Sequence, residues 1–472
     1  MISRLTPLAL ALALAGCAIG PDYQRPATTL PENYPEAGQT TAAAAVNNRW
    51  WTLFADATLN DLVDQALKNN ADVRLAIARI EQAEAVARET GSLYFPEIDV
   101  EAGSSNSQLS SKTATWNAAM PRISHSRRAA LTTSYEFDVW GSARRANEAA
   151  RANLLASRYS RDTIGLTIAA LVSNAYLALR ALDAQQTVAA ESLRDNEANQ
   201  KLVKARLDAG YVSPLDLHQA NSAVANAEAQ LAELKRQRAL LEHQLALLTA
   251  NPSLTIAAGD LRQLPLPPVP PAGLPADLIE ARPDVRQAEQ NLIAANANIG
   301  IAKAGYFPRF SLTGSFGSES ATLNNLFTAG AETWSFGLGL FAPLLDFGRT
   351  TARVDQAVAV NEQSLIAWQN SLQIAYKEVR DALVNLRQNA AAESARNAVV
   401  ADTKEALRIY NRRYSEGYSS YLEVLLAQNA YNSALANLIS TRQARLTAAV
   451  DLFKALGGGW NGRDQESGIG NQ

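Results

Sequence analysis

Residues 349–416 read RTTARVDQAVAVNEQSLIAWQNSLQIAYKEVRDALVNLRQNAAAESARNAVVADTKEALRIYNRRYSE and contain neither glycine nor proline. A second stretch, residues 142–209, has no proline and one glycine, Gly165. Because these two residues most destabilise a helix interior, each stretch predicts one uninterrupted helix. At about 1.5 Å rise per residue, each would be ~100 Å long. The 142–209 stretch also has the 3/4 apolar spacing of a coiled-coil seam, at Ile168, Leu171, Ala175, Ala178 and Leu182.

A chain reversal and a second helix follow each long helix. Gly210 ends the first, and Ser213-Pro214-Leu215-Asp216 restarts a helix with serine as N-cap and an acid at the third helical position. This return helix is predicted over 214–250. The later half repeats the scheme, with Gly417 at the reversal and a return helix over 420–456. Each half therefore ends in an antiparallel helix hairpin.

The chain contains two copies of one unit. Motifs of the first half recur in the second, first at a separation of 212 positions and later at 207. One insertion of about five residues before Gly141 accounts for the change, and insertions of this kind lie in loops. The matched segments are Asp72-Val73-Arg74 with Asp284-Val285-Arg286, Tyr94-Phe95-Pro96 with Tyr306-Phe307-Pro308, Gly141 with Gly348, and Gly210-Tyr211 with Gly417-Tyr418.

The duplication sets the domain boundaries. The first repeat spans 56–261 and opens with a short helix pair broken near Asn69-Asn70, and the second repeat spans 276–456. A proline-rich linker over 262–275 joins them, since proline is excluded from helix interiors and central strands. A polar tail occupies 457–472.

Between the short and the long helices the apolar period changes to two, which predicts strands. The strands are predicted over about 97–107, 129–140, 309–317 and 333–342, with hairpin loops in the polar stretches 103–128 and 317–332. Each repeat is then a short helix pair, a β-hairpin and a long helix hairpin. The fold class is mainly α with a small β part.

The N-terminus has the pattern of a processing signal. Residues 1–16 combine a basic start at Arg4, an apolar run and small closing residues, and they precede Cys17, the only cysteine in the chain. This pattern predicts a lipoprotein signal peptide cleaved before Cys17. The alternative is an ordinary signal peptide with an incidental cysteine. Each buried acyl methylene contributes about 0.8 kcal/mol, so a lipidated Cys17 would anchor the extension 17–55 to a membrane.

Composition and motifs exclude several functions. Lys+Arg number 43 and Asp+Glu 46, and the net charge of −3 gives no reason to expect a nucleic-acid partner. No stretch after the signal approaches the ~18 apolar residues of a spanning helix. Asp346-Phe347-Gly348 lacks the accompanying kinase motifs and instead matches Asp138-Val139-Trp140-Gly141 at the other strand-to-helix junction. The three histidines show no metal-ligand spacing, so we expect no enzyme, metal site or cofactor.

Four strands per chain cannot close a barrel, because the smallest membrane barrels have about eight. An open sheet would leave unpaired backbone groups, which are costly in lipid and prone to pairing in water. We therefore expect several copies to pool their strands around a polar lumen, with Trp334 and Tyr135 at a membrane interface. The alternative is a soluble β-hairpin attached to a helical bundle.

The element order, the duplication and Cys17-Ala18-Ile19-Gly20-Pro21-Asp22-Tyr23-x-x-Pro26 resemble the TolC family of outer-membrane efflux channels, in its OprM/NodT-type lipoprotein branch. Trp51-x-x-Phe54-x-Asp56-x-x-Leu59 resembles the same branch. The resemblance implies a homotrimer whose twelve-stranded membrane β-barrel continues into a twelve-helix α-barrel across the periplasm. It also implies an N-acyl diacylglyceryl lipid on Cys17, a periplasmic adaptor (membrane fusion) protein and an inner-membrane transporter of the resistance–nodulation–division (RND) class. Ala18, where retained inner-membrane lipoproteins usually have aspartate, favours the outer membrane.

The same resemblance places a periplasmic gate at the helix tips. Asp216 falls where the family has an aspartate on the first hairpin, and Tyr414 where it has a partner tyrosine on the second, so their bond would lock neighbouring hairpins. Leu422 matches a hydrophobic constriction. Glu423 matches the first of two acidic ring positions, and the second is Leu426 here. The alternative is that Asp216 and Glu423 are ordinary first-turn helix acids.

Gly210-Tyr211 and Gly417-Tyr418 lie at the tips, where the family contacts its adaptor. The alternative is that a chain reversal simply needs glycine. The implied function is a passive exit duct for small molecules, in particular drugs or other toxic organic compounds. Its rivals are a type I protein-secretion channel, a class that generally lacks the lipidated cysteine, and a structural envelope lipoprotein. Met120 is the only methionine after the signal, which disfavours a Cu(I) path.

Overall fold

The computed structural model describes most of the chain, in the ranges 18–27, 30–31, 34–35, 49–114, 116–117, 119, 121–268 and 282–458. The predicted signal peptide and Cys17 lie outside the described residues. So do residues 269–275 of the proline-rich linker and the tail beyond Gly458.

The elements follow the order of a duplicated unit. The main helices and strands of the described ranges are α1 Ala57–Asn69, α2 Ala71–Ser92, β1 Glu97–Gln108, β2 Ile123–Phe137, α3 Ser142–Asp208, α4 Pro214–Leu248, α5 Pro283–Ala304, β3 Arg309–Ser320, β4 Glu332–Phe341, α6 Arg349–Ser415 and α7 Tyr421–Ala455. The break between α1 and α2 falls at Asn70, whose side chain accepts a hydrogen bond from the Asp72 backbone N–H. In the second repeat the described residues contain α5 as the counterpart of α2.

By internal contacts the chain divides into two units. The first comprises Met1–Ala27, Ile80–Ser157 and Ala288–Trp368, and its described part holds the four strands and the beginnings of α3 and α6. The second comprises Thr28–Arg79, Arg158–Gln287 and Gln369–Gln472, and it holds the remainder of the long helices together with α4 and α7.

The sheet of the first unit has the order β1-β2-β3-β4 with antiparallel neighbours throughout. Its register places apolar residues in rows on one face, because directly opposed residues share a face. One such row crosses all four strands through Val100, Leu131, Phe316 and Trp334. The next row, on the other face, is polar and consists of Asp99, Thr132, Ser315 and Ser335. The sheet therefore has one apolar face and one polar face across all four strands.

The strands differ from their predicted bounds. β1 reaches Gln108, β2 begins at Ile123 and β3 reaches Ser320, so the hairpin loops are 109–122 and 321–331 rather than 103–128 and 317–332. The extra ladder has no apolar alternation. It is held by polar cross-strand pairs, including Ser107 Oγ with Ser124 Oγ at 2.6 Å.

β2 ends at Phe137, three residues before the predicted end at 140. The reason is Asp138, whose carboxylate accepts hydrogen bonds from the backbone N–H groups of Ala143 at 2.9 Å and Arg144 at 3.0 Å. Asp138 thus satisfies free donors in the first turn of α3 instead of extending the strand.

The core of the second unit lies around two tryptophans and the middle of α3. Trp50 is fully buried and stacks on Phe453, with 5.6 Å between ring centroids. Within the described ranges, α3 is the one helix long and apolar enough to cross a membrane, with an 18-residue window of mean hydropathy 1.5. This corrects the expectation that no such stretch follows the signal. Because 61% of that window is buried, and Ile168 and Leu177 belong to this core, we assign α3 as a core helix.

Two buried carboxylates join the helices of the second unit. Asp183 of α3 accepts from Arg238 Nε of α4 at 2.7 Å. Glu393 of α6 accepts from Arg442 at 2.9 Å and from Arg445 at 2.8 Å, both on α7. Burial alone would raise the pKa of the Glu393 carboxyl, but the hydrogen bonds from Arg445 and Arg442 outweigh burial and hold it below its usual range. Each long hairpin therefore carries an ion pair between its two helices.

Candidate functional site

Both hairpins turn by the same backbone device. After α3, the Tyr211 N–H donates to Arg206 O at 2.8 Å and the Gly210 N–H to Leu207 O at 2.9 Å. After α6, Tyr418 and Gly417 make the equivalent bonds. This is the Schellman motif, which needs a left-handed residue, and the glycines have φ of +79° and +85°. An added Cβ would meet nothing within 4 Å at either glycine, so backbone conformation rather than space requires them.

A capping box then starts each return helix. The Asp216 carboxylate accepts from the Ser213 backbone N–H at 3.0 Å. The Glu423 carboxylate accepts from the Ser420 N–H at 2.8 Å, and the Glu423 N–H donates to Ser420 Oγ at 3.3 Å. Both acids therefore act as first-turn helix residues, and one carboxylate oxygen of Asp216 remains outside its capping box.

The tips of the two hairpins pack against each other within one chain. Tyr414 and Tyr421, on the second hairpin, are buried with Val203 and Ala220 of the first. Their rings lie 6.0 Å apart. The Arg206 guanidinium of α3 lies 4.5 Å from the centre of the Tyr414 ring, a cation–π contact that joins the first hairpin to the second.

The packed tip contains hydroxyl groups without partners. Among the described residues, the buried oxygens of Tyr414, Ser419 and Tyr421 have no hydrogen-bond partner, and neither does Gln219 Oε1. Burial and the neighbouring Tyr414 raise the pKa of Tyr421. Leaving a buried hydroxyl unpaired costs about 1–3 kcal/mol, so the tip holds hydrogen-bonding capacity that the described residues do not use.

The predicted gate residues meet only in part. Asp216 and Tyr414 make no hydrogen bond to each other within the described chain, since the Tyr414 hydroxyl is unpaired there. Leu422 and Leu426 are four residues apart on α7, so they share a helix face, and both are exposed, at 45% and 59%. Glu423 lies next to Leu422 in the first turn. A bond between hairpins of different subunits stays a prediction.

A groove of about 550 Å³ adjoins these residues in the second unit. Leu422 lines it together with polar side chains from three helices: Ser192, Asn196, His218, Asn226, Asn429 and Asn432. Groups of three or more His, Cys, Asp or Glu side chains able to hold a metal ion are absent from the described part of the chain. The geometry is that of a packed helix end with an exposed apolar face, and it lacks the convergent titratable groups of a catalytic centre.

Comparison with known proteins identifies the family. The family described as "Outer membrane efflux protein" matches residues 62–251 and 274–458 of this chain. The chain belongs to the outer membrane efflux protein family. The "Cation efflux system protein CusC" of Escherichia coli (strain CFT073) is 32% identical over 467 residues, 97% of this chain and 99% of that protein. The "Solvent efflux pump outer membrane protein SrpC" of Pseudomonas putida is 32% identical over 463 residues, 96% of this chain and 98% of that protein.

A solved relative shows the same fold. The crystal structure of the open state of the Neisseria gonorrhoeae MtrE outer membrane channel matches with a TM-score of 0.83 at 28% identity, over 94% of this chain and 99% of that one. The resemblance to the TolC-type channels and the mainly α fold with membrane strands are thus confirmed. This outer membrane efflux protein is a channel of a Gram-negative outer membrane, a passive component of an efflux system and not an enzyme.

In the first unit of this efflux protein, residues 18–25 form a segment, here called the N-terminal strap. The Ile19 N–H donates to Trp140 O at 2.9 Å, and Asp22 pairs with Arg145 at 2.6 Å. Arg25 pairs with Glu289 on α5 at 2.7 Å. The strap fits because Gly300 lacks a side chain, since a Cβ there would lie 2.6 Å from Ile19 O.

Sequence reasoning missed Arg206, Tyr421 and the strap contacts. The signal for Tyr421 was its position beside the N-cap of α7, where an apolar ring can pack back on the preceding helix. Arg206 gave no signal, because its contact with Tyr414 joins residues 208 positions apart.

Proposed function

We propose that this chain is the exit duct of a tripartite pump, working as a homotrimer with a periplasmic adaptor protein and an inner-membrane RND transporter. The observation that carries the proposal is the four-stranded sheet, with one apolar face and two edge strands that are unpaired in the described chain. Such edges are unstable in lipid, and three copies joined edge to edge would make a closed barrel with a polar lumen.

The anchor is an N-acyl diacylglyceryl lipid on Cys17, attached to the start of the N-terminal strap. Ala18 lies against Gly141, at the junction between β2 and α3. This position supports an anchor held beside the foot of the barrel. The gate is formed by Asp216, Tyr414, Leu422 and Glu423 with Leu426 at the following turn. The exposed Tyr211 and Tyr418, at 83% and 75%, are the adaptor contacts.

The cargo is small organic compounds. Relatives of equal identity are named for cations and for solvents, so identity does not separate the two. Metal-ligand clusters are absent from the described residues, and the single methionine of the mature chain supplies little soft ligation for Cu(I).

Planar bilayers test the duct, and a gene deletion tests the cargo. Purified protein is expected to form discrete conductance steps, and amine cross-linking is expected to trap trimers. Deletion should sensitise cells to organic dyes and solvents more than to copper or silver. Absence of any pore from intact trimers would refute the duct, and selective metal sensitivity would refute the cargo.

A further inference from the structure

Two phenylalanines at the foot of the sheet are solvent-exposed in one chain. Phe347, which follows β4, is 90% exposed, and Phe95, which precedes β1, is 72% exposed. β1 and β4 are the two edge strands. Exposed aromatic rings at the ends of both unpaired strands indicate an interaction surface.

The paired strands in the middle of the sheet show what such rings can do. Trp140, just after β2, and Phe307, just before β3, pack with ring centroids 4.7 Å apart. Trp140 Nε1 also donates to Pro308 O at 2.7 Å. Because β2 and β3 are antiparallel, the end of one meets the start of the other, which brings the two rings together.

The internal duplication equates the exposed pair with the packed pair. Gly141 matches Gly348, so Phe347 takes the place of Trp140, and Tyr94-Phe95-Pro96 matches Tyr306-Phe307-Pro308. The two junctions also share two features, although the capping aspartate lies three residues before Gly141 and two before Gly348. An aspartate caps each long helix, Asp138 for α3 and Asp346 for α6, and the glycines have φ of +83° and +86°. Phe347 therefore takes the repeat position of Trp140, but with a left-handed backbone (φ +53°) and without a stacking partner among the described residues.

Phe95 and Phe347 of one chain cannot meet, because three strand spacings, about 14 Å, separate the edge strands. In a ring of subunits, Phe347 of one subunit can meet Phe95 of the next. Strand direction alternates, so β4 of one subunit lies antiparallel to β1 of the next, and the end of β4 meets the start of β1.

We propose that Phe347 of each subunit packs against Phe95 of the next, repeating between subunits the contact that Trp140 and Phe307 make within one. The proposal rests on the trimer of the proposed function. Phe95 lines a cleft of about 690 Å³ with Leu93, Pro96 and the foot of β2, which offers room for the incoming ring. The pair closes the base of each intersubunit seam.

Disulfide trapping tests the contact in the full-length lipidated protein. In the Phe95→Cys/Phe347→Cys double variant, Cu(II)–phenanthroline takes two electrons from two thiols, which lose their protons and form the disulfide. Covalent dimers and trimers are expected on a non-reducing denaturing gel. An intrachain disulfide is precluded, because it needs Cα atoms within about 7 Å. The single variants are controls. The matched control pair is Phe316→Cys/Phe347→Cys. Phe316 is also an exposed phenylalanine, on the apolar face of the sheet, but it lies about 20 Å along β3 from the start of that strand.

The outcomes separate this contact from the trimer itself. If amine cross-linking still traps trimers but the double variant gives no covalent oligomer, the contact is wrong and the duct survives. If amine cross-linking finds no trimer, the proposed trimeric duct is itself refuted. Phe347→Trp gives a second test that needs no cysteine. Because the chain already has seven tryptophans, the signal is the difference from the wild-type spectrum. The added emission should shift to the blue on assembly and resist quenching by brominated phosphatidylcholine. Quenching would place the ring in lipid and overturn the proposal.

Discussion

Tyr414 offers the sharpest test of the gate, because its ring and its hydroxyl have separable roles. The ring is held within one chain by the Arg206 guanidinium at 4.5 Å and by Tyr421 at 6.0 Å. The hydroxyl is buried and has no hydrogen-bond partner among the described residues. Tyr414→Phe therefore removes one group and leaves the packing of the tip unchanged.

The size and sign of the effect depend on the trimer. If the hydroxyl donates to Asp216 of a neighbouring hairpin, a bond to a charged acceptor contributes about 1.5–3 kcal/mol. Three such bonds would favour the closed tip by about 4.5–9 kcal/mol, so removing them would raise the open-to-closed ratio by about three to six orders of magnitude for concerted opening. If the hydroxyl stays unpaired in the trimer, its removal relieves a burial cost and leaves the tip closed.

Single-channel recording of purified trimers decides between these cases. Tyr414→Phe is expected to raise the open probability. Asp216→Asn is the matched variant, because asparagine can still accept the Ser213 N–H but lacks the charge. Leu422→Ser should add to the conductance by removing the apolar plug. Unchanged openings in the Tyr414→Phe/Asp216→Asn double variant, with the trimer intact, would refute the gate assignment.

Three further outcomes follow from the anchor, the ion pairs and the strap. Cys17→Ala should block lipidation yet leave the protein in the membrane fraction, because the proposed shared barrel would itself span the bilayer. Folded protein in the soluble periplasm would contradict this. The lowered pKa of Glu393 stabilises the fold above its unfolded pKa, and this contribution is lost as pH falls through the folded pKa. Glu393→Gln should therefore lower the free energy of unfolding by about 3–5 kcal/mol at neutral pH. In circular-dichroism unfolding, the free energy of unfolding of this variant should fall less steeply with acid pH than that of the wild type. An equally steep fall in both would exclude this ion pair as its source. Gly300→Ala should free the strap to chymotryptic cleavage after Tyr23. Gly91→Ala, another helical glycine whose Cβ would meet its neighbour at an ordinary 3.7 Å, should not. Equal protection in both variants would show that the strap does not need Gly300.

The long helices could be predicted because their signals are local. Absence of glycine and proline, a capping serine and a following glycine all lie within a few residues of the feature that they determine. The strands could be predicted only where one face is apolar. Around Ser107 and Ser124 both faces are polar, and the ladder is held by side-chain hydrogen bonds that no alternation marks.

In the candidate site, too, features with local signals could be predicted and features that depend on distant residues could not. The positions of Asp216 and Glu423 follow from capping rules, and both capping boxes are present. The contact of Arg206 with Tyr414 joins helices of different repeats, so the apolar periodicity of either helix does not predict it. The unpaired hydroxyls are still harder to predict from the sequence, because their burial depends on how four helices pack together.

Comparison of the two repeats indicates which tip residues serve folding and which serve the gate. At the 207-residue separation, Asp216 matches Glu423, and Tyr414 matches Leu207. The first hairpin therefore forms the same Schellman turn with a leucine where the second has a tyrosine. A leucine there would avoid burying the unpaired hydroxyl, so the turn itself gives no reason for tyrosine. Within the chain, the Arg206 contact accounts for an aromatic ring at this position but not for its hydroxyl. We propose that the hydroxyl serves the contact between subunits at the tip.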